Sequence, residues 1–130
     1  MLRRIIATVL LVRDLVACTA FYRDTLGFEL KESDPDSASF VLGDQYLLLL
    51  GLSAAGRLLG EGVKFGGGPQ VLLAAGVEDV DATYEALRAK GVTFLRPPTD
   101  QSWGLRTAHF ADPEGNFWEI NQPVVSKPEG

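Results

Sequence analysis

A chain of 130 residues, 46% hydrophobic and 22% charged, is long enough for one ordinary domain with a real core, which excludes global disorder. A formal net charge of −5, with twelve basic residues scattered along the chain, excludes a nucleic-acid partner, because phosphate-backbone binding needs clustered Lys and Arg. The longest apolar stretch, Tyr46 to Leu52, falls far short of the ~20 residues that cross a bilayer, so no membrane partner is expected.

Arg3 to Val12 (RRIIATVLLV) is a continuous apolar run bounded by charge, the pattern of a strand buried on both faces. Charged Arg13-Asp14 follow it where a signal peptide would have a small-residue cleavage site. Asp14 is placed to cap a helix in which Leu15, Cys18, Tyr22 and Thr25-Leu26 recur at helical spacing, and Gly27 ends it. Strands are predicted at Phe28–Glu32, Ser39–Leu42 and Tyr46–Leu52, separated by turns at 33–36 and 43–45. Cys18, the one cysteine, excludes an intrachain disulfide and fits a reducing compartment, the cytoplasm.

Residues 53–69 are glycine-rich without periodicity and read as a linker with at most one short helical turn at 54–59. Gln70 to Val77 is again a strand. Asp79 caps a second helix with Val80, Tyr84 and Leu87 on one face, and Gly91 ends it. Val92 to Leu95 is a strand, and Pro97-Pro98 is expected to stop its pairing, since proline donates no N–H. Leu105–Ala111 and Asn116–Gln122 form a hairpin around Asp112-Pro113-Glu114-Gly115, in which Pro113 pre-sets φ and Gly115 supplies a positive one. The tail 123–130 is expected to be loose.

The halves repeat. Val12-Arg13-Asp14-Leu15 matches Val77-Glu78-Asp79-Val80, and Gly27 and Gly91 lie 13 and 12 residues beyond their capping aspartates. The fold class is therefore α+β, two tandem βαβββ modules: module one about 3–52, linker 53–69, module two about 70–122, together one domain over 1–130.

On these features, with F-Y-R-D-T-L-G-F across the end of the first helix and the closing D-P-E-G-N-F-W-E-I, the chain resembles the vicinal oxygen chelate superfamily over about residues 5–122. That superfamily contains glyoxalase I, extradiol dioxygenases and bleomycin-resistance proteins. The resemblance implies a curved, cup-shaped mixed sheet with helices on its outer face, often completed by a second subunit, hence a homodimer. Metal-dependent members carry four ligands in the cup, usually His, Glu or Gln. The matching positions here are Ala7, Leu48, Leu72 and Glu119, of which only Glu119 has a donor. One carboxylate among aliphatic side chains does not replace a cation's hydration shell, so no metal and no other cofactor is expected; ligands from elsewhere, such as His109, Asp100, Gln70 or a partner chain, are the remaining route. The drug-binding branch, which lacks the metal set, has a Trp-Gly step and a DPxGN turn similar to Trp103-Gly104 and Asp112–Asn116. It implies a small-molecule partner: an apolar or aromatic, antibiotic-like ligand, with the chain's acidity weakly favouring a cation.

The candidate site follows. Trp103, on a rim loop, is a stacking platform or simple loop packing. In the last strand Phe117, Glu119 and Asn121 face one side while Trp118 and Ile120 face the other. Glu119 contacts ligand, or pairs with Arg106 or another cation. His109 contacts ligand or transfers protons with Glu119, or is an ordinary hydrogen-bonded strand histidine. Leu48, Leu72, Phe40 and Phe117 are candidate lining, with Tyr46 and Phe65 as further aromatic surface; core packing is the alternative for each aromatic. One function class is a metal-independent binding protein; another is a lyase, isomerase or dioxygenase using Glu119 with His109 or a partner-supplied metal. A domain kept for protein interaction, its cup filled by leucine, is a third.

Overall fold

The computed structural model describes residue 1, residues 3–59, residue 66 and residues 71–124. The chain divides into two compact units, Met1–Gly68 and Pro69–Gly130. The first runs β1 (Thr8–Val12), α1 (Leu15–Ala20) continuing into a π-helical turn (Phe21–Thr25), β2 (Glu29–Ser33), β3 (Ser37–Leu42), β4 (Gln45–Gly51) and α2 (Leu52–Leu59). The second runs β5 (Leu72–Gly76), α3 (Val80–Ala89), β6 (Phe94–Asp100), β7 (Leu105–Ala111) and β8 (Phe117–Pro123). The sheets have the same order, β1-β4-β3-β2 and β5-β8-β7-β6. In each, the first strand runs parallel to the last and the other pairs are antiparallel. Two βαβββ modules are therefore present, as the repeat predicts.

Local chemistry sets the helix ends. The Asp14 carboxylate accepts from the Ala17 N–H at 3.0 Å, and Asp79 accepts from Ala82 at 3.0 Å, each satisfying one orphan donor of a first turn. Gly27 and Gly91 leave their helices with φ of 74° and 93°, a region that side chains with a Cβ avoid.

Three expectations are corrected. β1 starts at Thr8, not Arg3; Ile5 and Ile6 stand exposed, and within β1 burial alternates, Leu10 and Val12 inside and Val9 outside. α1 packs against β3 and β4, and α2 against β1 and β4, and the alternation shows that β1 buries one face and not both. The stretch after β4 is a two-turn helix, not a single turn within a linker. Ala54, Ala55 and Leu58 are good helix formers, Gly56 is tolerated, and Ala55 is fully buried. Pro97-Pro98 do not end their strand. β6 continues to Asp100, with the register shifting between Arg96↔His109 and Thr99↔Thr107 so that both prolines bulge. β6 is an edge strand, where a missing N–H is tolerated.

The core of the first unit joins Cys18 and Tyr22 of its helix to Leu10, Val12, Ala38, Phe40, Leu47 and Leu49 of the sheet. That of the second joins Val80 to Ala108, Phe110, Trp118 and Ile120. Trp118 stacks on Phe110 at 6.3 Å between centroids, and Phe110 meets Phe94 edge-on at 5.3 Å. At the rim, Arg106 bridges Asp81 of α3 and Asp100 of β6, both at 2.9 Å. Those two carboxylates raise the Arg106 pKa further, and the guanidinium holds Asp81 below its usual value.

The β7–β8 turn is closed from within. Asp112 Oδ1 accepts from the N–H groups of Glu114 and Asn116, both at 2.9 Å, and its Oδ2 accepts from Asn116 Nδ2 at 3.0 Å. Both side chains are buried, and Gly115 takes φ 84°. Asp112→Ala strands these donors and is expected to cost about 2–3 kcal/mol, against about 1 for Asp112→Asn, in urea unfolding.

Candidate functional site

Side-chain alternation gives the second sheet two faces. Trp118 and Ile120 turn toward the α3 core, so Phe117, Glu119 and Asn121 turn the other way. The ladder then sets their neighbours: Thr107 lies opposite Asn121, His109 opposite Glu119 and Ala111 opposite Phe117. On the other side of β8, Leu72 lies opposite Phe117 and Ala74 opposite Glu119.

His109 and Glu119 are in contact. His109 Nε2 lies 2.8 Å from Glu119 Oε1, and Asn121 Nδ2 donates to Glu119 Oε2 at 2.8 Å. Both oxygens of the carboxylate are thus engaged, and side-chain exposure is only 24% for His109 and 15% for Glu119. An ionised carboxylate only accepts, so it selects the tautomer carrying the proton on Nε2. Among the described residues His109 Nδ1 has no partner, and none of their buried side-chain nitrogens or oxygens lacks one, so Nδ1 reaches the surface. The arrangement is a carboxylate orienting an imidazole whose second nitrogen is open to accept a hydrogen bond or a proton.

The surroundings are mixed. Leu72 is 55% exposed and Phe117 38%, an apolar margin on the same face. Gln101 Nε2 donates to Thr107 Oγ1 at 3.0 Å. Arg96 stands opposite His109 in the β6–β7 ladder, so its side chain leaves on that face too. Arg106 does not pair with Glu119, since it belongs to the opposite parity of β7 and is held by Asp81 and Asp100.

The remaining candidates are dispersed. Trp103 is 68% exposed in the turn closed by the Gly104 N–H on the Gln101 carbonyl. The four residue steps from Leu105 to His109 span about 13 Å of strand, so Trp103 stands at the rim and not beside the His–Glu pair. Phe40 is a correction: it is fully buried against Tyr22 and Phe28 in the first unit's core, out of a ligand's reach. Leu48 lies on the opposite face of that sheet, between Val9 and Ser39, and Tyr46 is 54% exposed. Phe65 and Gln70 lie outside the described residues. Asn121 was legible only as a face-mate of Glu119, and Arg96 carried no motif at all.

The superfamily metal set does not fit these residues. Ala7, Leu48 and Leu72 have no donor atom, and both Glu119 oxygens already have protein partners. Among the described residues no group of three or more His, Cys, Asp or Glu is arranged to hold a metal ion.

Comparison with known proteins gives a consistent picture. The model of the Glyoxalase/Bleomycin resistance protein/Dioxygenase superfamily matches residues 4–120. Uncharacterized protein YraH of Bacillus subtilis (strain 168) is 38% identical over 117 residues, 85% of this chain and 91% of its own. Among solved structures, a glyoxalase/bleomycin resistance protein/dioxygenase from Nocardioides superposes with a TM-score of 0.81 at 30% identity, covering 100% of this chain and 91% of that one. A lactoylglutathione lyase from Agrobacterium tumefaciens gives 0.75 at 27%, covering 91% and 92%. No helix among the described residues is long and apolar enough to cross a membrane.

Because His109 is the chain's one histidine, long-range proton–nitrogen spectra report its tautomer without ambiguity. The neutral ring is expected to carry its proton on Nε2, and Glu119→Gln to relax it toward a tautomer mixture. A wild-type ring protonated on Nδ1 contradicts the orienting role of Glu119.

Proposed function

The chain belongs to the Glyoxalase/Bleomycin resistance protein/Dioxygenase superfamily, and from that membership we propose that it is a metal-independent binding protein for an apolar or aromatic small molecule, of the drug-sequestering kind. One observation carries this reading. Three of the four superfamily ligand positions are Ala7, Leu48 and Leu72, and the fourth, Glu119, spends its carboxylate on His109 and Asn121. What remains on the open face of the second sheet is an apolar margin, Leu72 and Phe117, beside a small polar centre. That mixture suits recognition of a mostly apolar molecule oriented by a few polar contacts. A cytoplasmic homodimer is part of the proposal.

A second reading has its own support. His109, held through Nε2 with Nδ1 open, is the geometry of a general base, and the lactoylglutathione lyase likeness lends the reading a lyase or isomerase chemistry. In it, Nδ1 accepts a proton from the substrate and Glu119 stabilises the imidazolium. Turnover unaffected by Glu119→Gln contradicts that role.

Two measurements test the binding reading. The purified protein is expected to hold no stoichiometric transition metal, and binding is expected to survive chelation; one tightly held metal per chain, with activity lost on chelation, overturns it. A planar aromatic compound long enough to reach from the Leu72 and Phe117 margin along the sheet to the rim loop of Trp103 is expected to quench the tryptophan fluorescence. Trp118 is 5% exposed and stacked on Phe110, so contact quenching reports Trp103. Quenching of the same depth in Trp103→Ala removes Trp103 from the site.

A further inference from the structure

Arg96 is set apart from the other arginines of the second unit. Arg88 pairs with Glu85, and Arg106 with both Asp81 and Asp100. The Arg96 side chain makes no hydrogen bond or ion pair with any described residue. Yet it stands directly across from His109, on the face that carries the His–Glu pair. The nearest carboxylate on that face does not neutralise it, because Glu119 is divided between His109 and Asn121.

Reading across the sheet from Arg96 gives His109, then Glu119, then Ala74, with exposed Phe117 and Leu72 one pleat along β8 and β5. Three strand spacings of about 4.8 Å separate β6 from β5, so a cation and an apolar margin lie on one face about 14 Å apart at the backbone. A long guanidinium side chain shortens that span to the size of a fused-ring molecule.

We propose that this face binds an aromatic carboxylic acid, its carboxylate on the Arg96 guanidinium and its ring system over Phe117 and Leu72. The proposal rests on the small-molecule reading above and adds the ligand's charge class. A guanidinium presents a planar fork that matches a carboxylate with two parallel N–H···O bonds, which a point cation does not. The net charge of −5 attracts cations at long range, but at physiological salt that field fades over ~8 Å, and at contact the unpaired cation decides.

The probes are 2-naphthoate, 2-naphthamide and 2-naphthylmethylamine, which share one ring system and differ in charge. Their affinities are measured calorimetrically on the wild-type chain, Arg96→Gln and Arg96→Lys. Arg96 is exposed, so neither variant disturbs the core. The acid is expected to bind wild type roughly ten- to hundredfold tighter than the amide, the scale of a charge-assisted pair. Arg96→Gln is expected to abolish that preference and Arg96→Lys to keep part of it. If amide or amine binds wild type as tightly as the acid, or the preference survives in Arg96→Gln, the carboxylate subsite is overturned while the small-molecule reading stands. If none of the three binds, both fall.

Discussion

The register of the β7–β8 hairpin is the constraint on which the second unit depends. Asp112 draws the N–H groups of Glu114 and Asn116 onto one carboxylate oxygen, and Gly115 turns the chain back. With the turn closed there, Phe110 must meet Trp118 and His109 must meet Glu119. A slip of one residue would exchange the faces of β8: Trp118 would enter water and Glu119 would press against the α3 core. The packing that stabilises the unit and the geometry of its polar centre are therefore one fact seen from two sides.

The two units share a topology but differ on their open faces. In the first, Val9, Leu48 and Tyr46 share their face with Ser39 and Val41, and the ion pair on its outer strand β2, Lys31 with Glu29 at 3.4 Å, is exposed. In the second, histidine, carboxylate, amide and guanidinium stand side by side on adjacent strands. A duplicated supersecondary unit needs its helix-facing side chains for stability, so both copies keep them. The other face is free of that requirement, and the chemistry has accumulated on one copy.

What the sequence made legible was mostly local or periodic. The capping aspartates Asp14 and Asp79, the terminating Gly27 and Gly91 and the Asp-Pro-Glu-Gly turn act within a few residues, so they are readable without tertiary knowledge. Alternation along β8 separated Trp118 from Glu119 in the same way. The parity of β7 also separates Arg106 from His109, which removes Arg106 as a partner for Glu119. What escaped was non-local. Arg96 faces His109 only because two irregularities offset β6 by set amounts, and no residue pattern states how many positions a bulge consumes. Phe40 looked like lining because aromatic residues serve cores and sites alike, and only the parity of β3 against α1 distinguishes them. α2 was hidden by Gly56 and by the absence of a capping residue before it.

Prolines at 97 and 98 remove two N–H donors from β6 at the bulge, where the regular alternation of donors is already broken. β6 is the edge strand of its sheet, and an arriving strand from another molecule would find a gap in the hydrogen bonds needed to extend it. The same pair of residues that displaces Arg96 into line with His109 makes this border a poor template for fibrillar growth.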